Sequence, residues 1–188
     1  GTGATTGVTG GERTVESEGV GGSGSQLLGA FEKAEVGRQF PYGTGIRVEP
    51  GSYIVIQQHY NWLGAGEPGS DRSTLQFMVA EAVENPGRAS WLINPVWANP
   101  GTRESMFIPA GAPDTMVSYT GPGILVGCRQ NFDVYWADLH MHTLGSQGKL
   151  EVVRRDGSRE CLVRIDDWKF EWQSTYYLKN PVSIGPGD

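Results

Sequence analysis

Glycine and proline punctuate this chain too densely for long helices: 28 glycines and 11 prolines fall among its 188 residues. In a helix interior glycine costs about 1 kcal/mol and proline about 3 kcal/mol relative to alanine. Such a chain is better suited to short strands joined by tight turns, and the runs between the turns agree. KLEVVRRDGSRECLVRI, residues 149–165, sets Asp156-Gly157 between two alternating runs, which predicts a β-hairpin. Glu49-Pro50-Gly51-Ser52 reads as a turn that launches a strand, with Tyr53, Val55, Gln57 and His59 on one face and Ile54, Ile56, Gln58 and Tyr60 on the other. STLQFMVAEAV, residues 73–83, is expected to pair with it antiparallel. FDVYWADLHMHTLG reads as a long strand, and WKFEWQSTYYLKNPVSI as further strand with alternating aromatics. Residues 1–25 read as loop or extended coil, and residues 26–37 have at most the spacing of a short helix. The fold class expected is therefore all-β.

The segment Glu84-Asn85-Pro86-Gly87-Arg88 is the best candidate for a domain boundary, because the strand pattern restarts after it. Gly185-Pro186-Gly187-Asp188 has the form of the turn at 49–52, which leads into a strand, so the natural chain is expected to continue past Asp188. A net charge of −6 argues against a nucleic-acid partner. No apolar run approaches the ~20 residues of a membrane helix, and the first residues have no apolar signal core. Cys128 and Cys161 are too few to define a disulfide framework; they can pair with each other, pair with cysteines elsewhere, or be buried thiols.

Three histidines occur: His59, His140 and His142. The last two form His-x-His, which on a strand places both imidazoles on one face, as a chelating pair requires. Two polar residues on a solvated strand face would have the same spacing. His59, taken alone, reads as a packed, hydrogen-bonded residue. There is no Gly-x-Ser-x-Gly elbow and no Cys-x-x-Cys. Asp166, Asp167 and Glu171 near Trp168 and Trp172 suggest an acid pair on a sugar-binding surface, but nothing in the sequence sets their separation, and the tryptophans read more simply as packing.

Four segments carry a resemblance. FPYGTGIRVEPGSYIVIQQHYN ends in Gln-x-His-Tyr; DRSTLQF has Asp-x-Ser at Asp71 and Ser73; SMFIPAG holds an Ile-Pro-x-Gly turn; and ADLHMHTLG holds His-x-His-x-Leu-Gly. In this order, over roughly residues 17–188, they resemble the copper type II, ascorbate-dependent monooxygenases, whose members include peptidylglycine α-hydroxylating monooxygenase and dopamine β-monooxygenase. The sequence looks closer to bacterial relatives than to the animal enzymes.

The resemblance implies two antiparallel, jelly-roll-like β-sandwich modules. Residues 1–85 would be the C-terminal part of the first and residues 86–188 most of the second. It implies a secreted protein, extracellular or periplasmic, that hydroxylates a C–H bond of a small-molecule substrate with O2, using two coppers and ascorbate as reductant. His59 would be the third histidine ligand of one copper, with an adjacent His-His pair expected upstream. His140 and His142 would hold the other copper, with a methionine expected downstream. Further segments of the same protein would thus complete both sites. Met141, between the histidines, should point to the opposite face and not replace that methionine. Asp138 stands where the peptide-amidating members have an arginine that grips a substrate carboxylate. An acid there would repel such a substrate, so an amine or neutral molecule is expected. The competing expectations are a non-catalytic, secreted β-sandwich module related to this family, and a carbohydrate-binding sandwich resting on the aromatics alone.

Overall fold

The structure is a computed structural model that describes residues 26–29, 39–56, 70, 72–90, 92–94, 107–121 and 130–188. Those residues are all-β, as expected. Among the described residues the strands are β1 (Thr44–Ile46), β2 (Asn85–Gly87), β3 (Phe132–Ala137), β4 (Gly148–Val153), β5 (Arg159–Ile165) and β6 (Tyr176–Ile184), with a 3-10 turn at Phe170–Trp172. They form three two-stranded sheets: β1 with β2 parallel, β3 with β6 antiparallel and β4 with β5 antiparallel. No helix among the described residues is long and apolar enough to cross a membrane.

The β4–β5 hairpin forms where the sequence places it. Arg154 N donates to Ser158 O at 2.8 Å and Gly157 N to Arg154 O at 2.8 Å, enclosing a three-residue loop, Arg155 to Gly157. A two-residue Asp-Gly turn requires positive φ at both residues. Here only glycines have positive φ, so Asp156 stays in the ordinary region, Gly157 takes φ 84°, and Arg155 supplies the extra residue. Asp156 Oδ1 accepts from Ser158 N at 2.9 Å and Ser158 Oγ at 2.6 Å, and these bonds hold its carboxyl below the usual carboxylate range.

Leu150 pairs with Val163 but Glu151 pairs with Cys161, so Leu162 is an extra residue on β5. The bulge reverses the phase of alternation. Cys161 is exposed, whereas Val163, two residues on, is 5% exposed. Cys161 is thus not a buried thiol; Cys128 lies outside the described residues. Val152, Val163, Trp168, Ala137 and Gln173 are the buried residues of this C-terminal part. In β6, Val182 pairs with Val134 but Tyr177 pairs with Trp136, leaving an irregular stretch that contains Pro181. Proline has no N–H to give a ladder and is tolerated at such irregularities.

The turn at 49–52 is present, with Ser52 N on Glu49 O at 3.1 Å and φ 82° at Gly51. Of the strand expected after it, residues 57–60 lie outside the described residues; residues 53–56, and residues 73–83 expected to pair with it, have no strand, and Tyr53, Val55, Met78 and Val79 are 80–91% exposed. A strand is stabilised by a paired edge and a covered face, and no described residue provides these here. Within the candidate boundary segment, residues 85–87 form β2, which pairs with β1.

Candidate metal centre

β3 was expected to run through the histidines. It ends at Ala137, which pairs with Tyr176, the first residue of β6. Beyond it the chain continues without a partner strand, yet the alternation persists. Asp138, His140 and His142 are exposed, while Leu139 and Met141 are half-buried. The turn closes with Gly145 N on His142 O at 3.0 Å, and Gly148 begins β4.

Both glycines of this return face close neighbours. A Cβ on Gly148 would lie 3.0 Å from Leu139 Cδ1 and 3.1 Å from Met141 Cε; one on Gly145 would lie 3.0 Å from Trp168 Cδ1 and 3.1 Å from Met141 Sδ. Met141 is therefore packed against the two glycines and is half-buried where the flanking histidines are exposed, as alternation predicts.

The two imidazoles come together, with ring centroids 5.2 Å apart and planes at 87°. The segment after β5 supports them. Trp168 is 5% exposed, and its backbone N donates to Ser146 O at 2.8 Å. Phe170 lies 6.0 Å from His142, centroid to centroid. Gln173 is 5% exposed, and its Oε1 lies 2.8 Å from His140 Nδ1. Sequence reading missed Phe170 and Gln173. Neither sits in a motif, and the burial of an amide 33 residues from its partner leaves no local periodicity.

A metal about 2.0–2.1 Å from each of two imidazole nitrogens sets ring centres at about 5 Å when the ligands are at right or tetrahedral angles. The observed 5.2 Å fits that requirement. Imidazole suits copper, zinc, iron and nickel, so the donor pair fits copper without selecting it. Among the described residues no group of three or more His, Cys, Asp or Glu side chains is arranged to hold a metal, so within them His140 and His142 stand as a pair. His59 lies outside the described residues, as does Asp71.

A shallow depression of about 370 Å³ adjoins the histidine turn, between Thr143, Gly145 and Ser146 on one side and residues 167–171 on the other. Asp167 and Glu171 are the carboxylates that line it. Asp167 is joined to Lys169 Nζ at 2.9 Å, and neighbouring Asp166 to Arg164 Nε at 2.7 Å. Trp168 is core and Trp172 is 78% exposed, so the two do not form one aromatic platform.

Comparison with protein-family models, curated proteins and solved structures finds no match. The chemistry of this chain rests on its own residues.

Proposed function

We propose that this chain is part of a copper- and ascorbate-dependent monooxygenase that hydroxylates a C–H bond of a small organic substrate with O2. The observation that supports this most is the meeting of His140 and His142 at 5.2 Å on the exposed side of a turn whose other side is packed. The four ordered motifs, from Gln-x-His-Tyr to His-x-His-x-Leu-Gly, supply the reaction class. On this reading the protein is secreted, with two β-sandwich modules over residues 1–85 and 86–188. His140 and His142 hold one copper, and His59 is one ligand of the other. Bound copper supplies dioxygen activation and electron storage. The chain's own task is to hold two imidazoles at fixed separation and to keep Met141 out of their way.

Ligand number sets the expected behaviour. The 188 residues carry two of three ligands for one site and one of three for the other, so the isolated chain should bind Cu(II) loosely and show no ascorbate-driven oxygen uptake. The full-length protein should show uptake with an amine or neutral substrate. The direct test is copper titration of the chain and of its His140→Ala, His142→Ala double variant. Affinity should fall by more than about 100-fold, the upper end for loss of an outer-shell partner alone. Undiminished copper binding by the double variant would overturn the assignment. Copper binding without uptake by the full-length protein would assign a non-catalytic binding or structural role.

A further inference from the structure

A buried glutamine next to an exposed histidine needs a reason. Gln173 is 5% exposed. Burying an amide without hydrogen bonds costs about 1–3 kcal/mol by protein mutational measures, and methionine would fill a similar volume without that cost. The carboxamide oxygen instead lies 2.8 Å from Nδ1 of His140, reaching a residue on the exposed side of its segment. An amide oxygen only accepts, so with Oε1 turned to the ring this contact is a hydrogen bond in the tautomer that carries the proton on Nδ1. A neutral imidazole has one donor and one acceptor nitrogen, which leaves Nε2 with the lone pair.

We propose that Gln173 is a positioning residue for His140: its buried amide oxygen holds the Nδ1–H and so presents Nε2 as the metal-binding nitrogen beside His142. Metal-bound histidines almost always donate their second N–H to a fixed acceptor, which sets tautomer and ring orientation. Gln173 is placed for that role by its surroundings. It follows the 3-10 turn directly, with its backbone N on Phe170 O at 3.4 Å. The same turn sets Phe170 against His142. One short segment thus addresses both imidazoles, one through a ring contact and the other through a hydrogen bond.

The metal-binding part of this inference rests on the copper reading; the tautomer part does not, and the experiment separates them. Long-range nitrogen–proton spectra of the metal-free, full-length protein report which ring nitrogen of each histidine carries hydrogen. His140 should appear as the Nδ1–H tautomer in the wild type, lose that preference in Gln173→Met, and keep it in Gln173→Glu, which retains an acceptor oxygen. Cu(II) titration of the same proteins should show binding weakened about 10–100-fold in Gln173→Met and largely restored in Gln173→Glu. An Nε2–H tautomer at His140 in the wild type overturns the proposal with no variant needed. So does copper affinity that is equal in the wild type and Gln173→Met. If the wild type binds no copper, the copper reading fails, and the tautomer spectra alone decide whether Gln173 orients His140.

Discussion

At the scale of single residues, the histidine turn depends on what is missing at Gly145. A Cβ there would stand 2.9 Å from Met141 Cβ and 3.0 Å from Trp168 Cδ1. Neither neighbour can swing clear: one is fixed to the backbone and the other belongs to a buried indole. Gly145→Ala should therefore lift the 142–145 turn from Trp168 and carry His142 with it. We expect a loss of about 1–3 kcal/mol, the range for overpacking, together with weaker copper binding. Denaturant unfolding and copper titration of the variant would check both. Wild-type values in each would mean that the turn has slack which the contact distances do not suggest. The residue types at this site were partly legible. The His-x-His spacing foretold that His140 and His142 would lie together on the exposed side, with Met141 on the more buried one. Gln173 was not legible, because its role comes from a partner far along the chain, and an amide between aromatics has no pattern of its own.

At the scale of elements, local chemistry was legible and partner-dependent structure was not. Asp156-Gly157 marked the β4–β5 hairpin because a residue in the left-handed region is required there, and glycine adopts it without the Cβ clash. Gly157→Ala should cost about 1–2 kcal/mol, the penalty of placing a Cβ in that region, read as a shift in unfolding midpoint at unchanged slope. No shift would mean that the loop can re-form with another residue at positive φ. The bulge at Leu162 was hidden because Cys-Leu-Val reads equally well in either phase. β3 was expected to reach the histidines, yet its length is set by β6, which starts opposite Ala137. Residues 53–56 and 72–80 show the same dependence: their alternation is plain, but a strand also needs an edge to pair with and a face to cover.

At the scale of the whole molecule, charged contacts join the β4–β5 hairpin to the end of β6. Arg154 Nη1 donates to Ser183 O at 2.7 Å and to Asp188 Oδ2 at 2.8 Å, while its guanidinium also engages Glu160. Gln39 N donates to Tyr177 Oη at 3.3 Å, reaching from the first half of the chain to β6. The backbone N–H of Gly185, then the Arg154 guanidinium, hold the Asp188 carboxyl below its ordinary value. A carboxyl depressed in the folded state stabilises it above the unfolded pKa of about 3.9, and the contribution is lost as pH falls through the folded value. Asp188→Asn should therefore melt below the wild type at neutral pH and alongside it in strong acid; a constant gap at all pH values would show that the contact is not electrostatic. The contacts around the histidine turn are also nested. His140 lies eight residues before Gly148, and Gln173 eight after Ile165, so the closed β4–β5 hairpin sits midway between the two partners. Once the hairpin's base has formed, the 33-residue separation of His140 and Gln173 is roughly halved in effective length. Halving a flexible loop lowers its closure cost by about 0.6 kcal/mol. The hairpin thus acts as a clasp that shortens the search by which two distant halves of the site find each other.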